Sequence, residues 1–225
     1  MGEIVTLGGD DRGYFSPPRQ GAGLGLVVIQ EYWGLVPHIE DVCDRFAAEG
    51  FTALAPDLFR GETAEEPDEA DKLMMSLNLS QAARDMGWAV DHLLASPAVR
   101  GDGVGVVGFC MGGGLALMLA TQRPADVRAC VPFYGLIPWE SAHPDWSKLR
   151  APVQGHFGEH DELFSPDKMR ELEGTLAGHG KDAEFFFYPG AGHAFFNDTR
   201  PEAYDESAAS TAWTRSLEFL RAKLG

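Results

Sequence analysis

Short runs of β-branched and aliphatic residues alternate with amphipathic helical stretches from Leu24 to the end of the chain, and this alternation constrains the fold more than any other feature. Strands are expected at Leu24–Gln30, Thr52–Ala55, Gly103–Phe109, Ala129–Phe133, Val153–Phe157 and Glu184–Tyr188. Helices are expected near Pro37–Glu49, Gln81–Ala95, Met111–Thr121, Pro166–Gly178 and Glu202–Leu224. Continuous apolar runs of strand length suit strands buried on both faces, as in a parallel sheet covered by helices. The strand–helix–strand rhythm then implies right-handed crossovers and a doubly wound α/β layer. Glu3–Leu7 and Gly13–Phe15 can add an antiparallel edge. One domain over 1–225 is expected, since neither repeat nor linker interrupts the rhythm. Only Asp57–Ser80 departs from it: acidic, partly helical in pattern and long for a connection, it reads as a lid or a surface excursion.

Charge and cysteine usage narrow the function. Eighteen Lys and Arg face thirty-four Asp and Glu, a formal net charge of −16. Such a balance repels phosphate backbones and anionic lipid surfaces, so neither nucleic acid nor membrane is an expected partner. No apolar span of membrane length occurs, and the first residues lack a basic segment followed by an apolar one, so a cytoplasmic location is expected. The three cysteines, Cys43, Cys110 and Cys130, have no metal-like spacing and read as reduced thiols. Cys43 falls on the apolar face of a helical pattern and Cys130 inside a strand, where a small core residue serves. Cys110 differs because it stands where a strand bends into a helix.

That bend reads Val106-Val107-Gly108-Phe109-Cys110-Met111-Gly112-Gly113-Gly114. A reactive side chain at such an apex is held in strained backbone geometry, and the glycines two residues to either side relieve the crowding. The first amides of the following helix favour negative charge there, which suits a thiolate, and the Met111 N–H can donate to a developing oxyanion. Asp161 follows the strand Val153–Phe157, and His193 lies in a glycine-rich loop after Glu184–Tyr188. Sites in parallel α/β sheets gather at the C-terminal ends of strands. The order nucleophile, acid, histidine is that of an α/β-hydrolase. Cys110 would attack a carbonyl carbon, His193 would carry the proton, and Asp161 would orient the imidazole. His156, His160, Asp161 and His193 can also be read as metal ligands, but Asp161 and His193 suit the triad better, so no metal is expected.

The segments VIQEYWGL, VVGFCMGGGLAL, FGEHDEL and YPGAGHAFFN, in that order, resemble the dienelactone hydrolase (carboxymethylenebutenolidase) family from about Leu24 to the C-terminus. The resemblance implies a compact α/β-hydrolase fold, a mostly parallel twisted sheet of about seven or eight strands flanked by helices. It also implies hydrolysis of a lactone or ester by a Cys-Asp-His triad, without a cofactor. Glu31 matches a family glutamate that contacts the resting thiol and helps take its proton when substrate binds, and Tyr32 would supply the second oxyanion amide. The family holds a substrate carboxylate with two arginines, one in the excursion before the helix that precedes the nucleophile strand and one a few residues after the catalytic histidine. Neither Arg60, Arg84 nor Arg200 matches them cleanly, and Arg200 is expected to pair with Glu202. Trp33, Phe195 and Phe196, with Tyr32, suggest an apolar pocket suited to an uncharged lactone or short ester, with one of the two phenylalanines possible as core. The expected partner is that small molecule alone, for a monomer or homodimer. The alternatives are a ligand-binding protein that keeps the fold without catalysis, and a thiol redox protein, which the lack of a resolving cysteine counts against.

Overall fold

The computed structural model describes residues 2–8, 11–137, 139 and 142–225. Its eight strands form one sheet in the order β1-β2-β4-β3-β5-β6-β7-β8. They are β1 (Glu3–Thr6), β2 (Arg12–Ser16), β3 (Gly23–Ile29), β4 (Phe51–Pro56), β5 (Val99–Phe109), β6 (Val127–Phe133), β7 (Val153–Gly158) and β8 (Ala183–Tyr188). β3 to β8 run parallel, while β1 and β2 form the antiparallel edge. The helices are α1 (Pro37–Ala48), α2 (Pro67–Ser76), α3 (Leu79–Ala95), α4 (Met111–Gln122), α5 (Pro166–Gly178) and α6 (Glu206–Leu224).

Alternation along the central strands builds two cores. Val27 and Ile29 of β3 and Val104 and Val106 of β5 face α3, α4 and α5. Leu26 and Val28, with Val107 and Phe109, face α1 and α6. All seven residues of β3 are buried, which is why its sequence runs apolar without polar alternation. Each fully buried aliphatic side chain contributes about 1.5–3 kcal/mol relative to exposure, and both faces of these strands collect that gain.

Most strand and helix ends lie within two residues of the sequence expectation, and three starts show why they differ. β5 begins at Val99, ahead of its apolar run, through exposed residues that pair across a register shift. α3 begins at Leu79, capped by Asn78, whose side chain accepts from the Gln81 amide. α6 begins at Glu206, because Asp205 is its cap and accepts from the Ala208 N–H at 2.9 Å. A capping side chain satisfies an amide that otherwise has no partner, so it fixes the start more firmly than apolar period does. The long excursion holds α2, which lies against a separate small cluster of Trp33, Ala64 and Ala70.

Candidate active site

Five parallel strands end on one edge of the sheet, and each is followed by a residue of the site: Glu31 after β3, Cys110 after β5, Tyr134 after β6, Asp161 after β7 and His193 in the loop after β8. Cys110 is the residue between β5 and α4, with φ 54° and ψ −120°. A non-glycine side chain there is strained, and the surroundings must over-determine it. They do so by close approach. A Cβ on Gly108 would lie 2.0 Å from the Gly112 carbonyl oxygen, and one on Gly135 would lie 1.7 Å from the Cys110 carbonyl oxygen. The Cys110 N–H donates to the Phe133 carbonyl at 3.1 Å, and its own carbonyl accepts from Gly113 at 2.9 Å. Among the described residues, the non-glycine residues at positive φ are Arg60, Cys110, Tyr134 and Ala194, three of them in or beside the site. Strain of this kind concentrates where a fold positions chemistry.

Cys110, His193 and Asp161 meet. His193 Nε2 is 3.2 Å from Cys110 Sγ, and His193 Nδ1 is 2.9 Å from Asp161 Oδ2. The other carboxylate oxygen, Oδ1, accepts from the amides of Leu163 and Phe164 at 2.8 and 2.9 Å. Burial alone would raise the Asp161 pKa, but the hydrogen bond and charge of His193 and these amides outweigh it and hold the carboxyl low. Burial opposes charge on His193 too, yet its bonds to Asp161 and Cys110 raise the imidazole to about 10. The sulfur is partly exposed, whereas Cys43 and Cys130 are fully buried and burial pushes both of their thiols up. Met111 carries the first amide of α4, which has no carbonyl within its helix to bond.

Glu31 is interior, 1% exposed, and both of its oxygens are taken. Tyr134 Oη donates to Oε1 at 3.2 Å and Asn197 Nδ2 donates to Oε2 at 2.9 Å. Its hydrogen bonds therefore run to Tyr134 and Asn197, while the thiol's hydrogen-bond partner is His193. Tyr134 and Asn197 carry no motif in the sequence. Asn197 could have been suspected from its place four residues after His193, in the stretch where the family pattern calls for an arginine. The loop bearing it is moored to α1: Asp198 lies 3.4 Å from His38 Nδ1 and 3.5 Å from Arg45, whose guanidinium covers the Phe196 ring at 5.0 Å.

The pocket expectation needs correction. Phe195 and Phe196 are 0% and 1% exposed, and they pack with Phe109, Phe133, Tyr134 and Tyr188 inside the core rather than facing a cavity. The backbone turn at Ala194 directs both rings under the sheet edge. Trp33 does border a cavity, of about 380 Å³, but beside Val36 and Ala64 its walls are polar, with Glu65, Asn197, Thr199, Arg200 and Glu202. Arg200 lies flat over the Trp33 ring at 4.0 Å and pairs with Glu202 at 3.1 Å. Tyr32 packs edge-on to Trp33; burial raises its hydroxyl pKa, Cys110 and Asp71 reinforce that, and Arg200 offsets it. Arg60 is held by Asp11 at 2.7 Å, and Arg84 bonds Gln81 on its own helix. His156 lies in the core, bonded to Tyr188 Oη at 2.8 Å and Ser216 Oγ at 3.1 Å.

Residues 12–224 match the model of the dienelactone hydrolase family. Among relatives, the Aquifex pyrophilus protein called Protein usf is 35% identical over 98% of this chain and 98% of its own length. An Aquifex aeolicus protein provisionally named as a carboxymethylenebutenolidase is 32% identical over the whole of both chains. In solved structures, a dienelactone hydrolase-like promiscuous phosphotriesterase from metagenomic libraries superposes with a TM-score of 0.87 at 25% identity, covering 100% of this chain and 99% of that one. A Klebsiella pneumoniae protein provisionally described as a dienelactone hydrolase gives 0.85 at 26% identity, covering 98% of each chain. With strand order, the sharp strand–helix turn at Cys110 and nearly full-length likeness in agreement, the chain belongs to the dienelactone hydrolase family and is an α/β-fold hydrolase.

Proposed function

We propose that the chain hydrolyses a lactone or short carboxylic ester through an acyl-enzyme on Cys110. The observation that carries this reading is the continuous relay from sulfur to Nε2 at 3.2 Å and from Nδ1 to Asp161 at 2.9 Å, at the one cysteine held on a strained turn. The thiol proton passes to His193 Nε2 and the thiolate attacks the substrate carbonyl carbon. The resulting oxyanion takes hydrogen bonds from the Met111 and Tyr32 amides. Collapse breaks the carbon–oxygen bond, and His193 returns its proton to the leaving oxygen; in a lactone that alcohol stays tethered to the acyl chain. His193 then takes a proton from water, whose oxygen attacks the thioester; collapse breaks the carbon–sulfur bond, the carboxylic acid leaves, and the imidazole proton returns to Sγ. Asp161 keeps the imidazole in the required tautomer and balances its charge.

The substrate we favour carries no carboxylate, because Arg60 and Arg200 are already paired with Asp11 and Glu202. A panel of dienelactone, uncharged lactones and p-nitrophenyl esters tests this. Uncharged members are expected to give the higher kcat/KM, and preference for the anionic dienelactone by orders of magnitude would refute the assignment. A phosphotriester belongs in the panel because the metagenomic relative is described as acting on that class.

A further inference from the structure

The loop after β3, the excursion that holds α2 and the loop after His193 enclose the cavity of about 380 Å³ beside Trp33. Its frame is fixed by backbone bonds: the Ala64 N–H donates to the Trp33 carbonyl at 3.0 Å, and the Tyr204 N–H to the Arg200 carbonyl at 3.0 Å. Arg200 lies over the Trp33 ring at 4.0 Å and uses Nε on Glu202 at 3.1 Å, which leaves the N–H groups of both Nη atoms to donate. Thr199 Oγ1 donates to Asn197 Oδ1 at 2.7 Å and can accept in turn. Glu65 and Glu202 supply carboxylate acceptors. Tyr32 joins this cavity to the nucleophile. Its ring packs edge-on to Trp33, with ring centres 4.4 Å apart. Burial raises the Tyr32 hydroxyl pKa, Cys110 and Asp71 add to that and Arg200 opposes it, so the nucleophile and the cavity's guanidinium act on one phenol. Consecutive residues stand ~3.8 Å apart, so a substrate whose oxyanion meets the Tyr32 amide presents its next few atoms to Trp33 and Arg200.

We propose that this cavity binds hydroxyl groups of the substrate, and that the preferred substrate is an uncharged lactone or ester of a polyhydroxylated compound, such as a sugar lactone. The proposal rests on the hydrolytic reading of Cys110 and Tyr32 and names the substrate class of that site. Charge narrows the choice. A carboxylate on the substrate would meet Glu65, Glu202 and the nearby Asp71, against a single guanidinium already paired with Glu202. A cation would meet Arg200 at the ring that should stack with it. A hydrocarbon group would take water from two carboxylates and a guanidinium and return no hydrogen bond. A hydroxyl donates to a carboxylate and accepts from a guanidinium at once. Hydroxyls on neighbouring carbons suit an acceptor and a donor held side by side, as Glu202 and Arg200 are at 3.1 Å. Arg200, Glu202 and Thr199 are thus specificity-determining residues, and a site built to bond hydroxyls discriminates against an analogue that lacks them.

The test compares matched pairs on the full-length protein. Gluconolactone and δ-valerolactone are assayed for kcat/KM, each value divided by that lactone's own rate of alkaline hydrolysis. The hydroxylated member is expected to lead by about tenfold or more. Glu202→Gln and Thr199→Val, at exposed positions, should each shrink that lead several-fold, because both lower the hydroxylated lactone more than the plain one. Acetylcholine against its uncharged isostere 3,3-dimethylbutyl acetate tests the opposing reading: a preference of about tenfold for the cation would overturn the proposal. Equal normalised values for the two lactones, or a lead that survives both substitutions, would overturn it as well. Binding of the corresponding lactams, followed by titration calorimetry, needs no turnover. Gluconolactam should bind about tenfold or more tightly than δ-valerolactam, and Glu202→Gln should remove most of the difference. Tighter binding of the hydroxylated lactam by a protein that cleaves no lactone or ester would refute the hydrolytic reading alone. Efficient hydrolysis of plain lactones with no gain from hydroxyls would refute the cavity's role alone.

Discussion

The two sides of the site are built differently. On the side of the sheet edge, Cys110, Tyr134 and Gly135 are locked by backbone contacts so close that a single added methyl group has no room. On the opposite side, α2 secures itself through one fully buried residue, Ala70, and leaves Met75 69% exposed. The first region joins the two main cores of the sheet, whereas the second reaches the larger core through the partly buried Leu73 and Met74 and otherwise packs on a small cluster of its own. The turn that carries Cys110 is thus the more tightly packed of the two regions. The part beside Tyr32 and Trp33 can vary at little cost to the fold, as expected for substrate-facing loops on a rigid scaffold.

The contrast can be broken most severely at Gly135. Replacing it with alanine drives a Cβ into the Cys110 carbonyl, and a loss of about 3 kcal/mol or more, or failure to fold, is expected in chemical denaturation. Gly174→Ala on α5, where a Cβ meets nothing within 4 Å, should instead stabilise by about 0.5–1 kcal/mol. On activity the largest effect is expected from Asp161→Asn, which leaves the shape of the site but removes the hydrogen-bond acceptor of His193 Nδ1. Its kcat for p-nitrophenyl acetate should fall by about 10³–10⁴.

Acid should separate the regions by stability. His156 is buried between Tyr188 and Ser216, and burial lowers its pKa to about 3. Between that value and ~6.5 the unfolded chain binds the extra proton and the folded chain does not, so acid favours unfolding. Stability should hold above pH ~6.5 and fall as the pH drops toward 3, by up to about 1.4 kcal/mol per pH unit from this group, as read from denaturant midpoints. Neutralising the α2 acid Asp71 with Asp71→Asn should leave that slope unchanged. The smallest effect is expected at Met75→Ser: unfolding free energy within about 0.5 kcal/mol of wild type, with any kinetic change in KM rather than kcat.

The same division governs what the sequence made legible. Strands buried on both faces announce themselves as apolar runs, and residues at their ends are placed by topology, so the meeting of Cys110, Asp161 and His193 at one sheet edge could be anticipated. The antiparallel edge of β1 and β2 was equally readable. Phe195 and Phe196 could not be oriented, because their loop has no period and the turn at Ala194 that buries both rings is set by tertiary contacts. Tyr134 and Asn197 stayed hidden for a related reason: each is linked to Glu31 by a hydrogen bond that spans more than a hundred residues of the chain. The polar lining beside Trp33 comes from side chains on separate segments, and their convergence has no local signature.

The account depends most on covalent chemistry at one sulfur. Rapid quenching of the protein during turnover of p-nitrophenyl acetate, followed by peptide mapping, should find one acetyl group per chain, on Cys110, formed with the burst of nitrophenolate and lost at the turnover rate. An acetyl group on another residue, or wild-type turnover by Cys110→Ala, would contradict it.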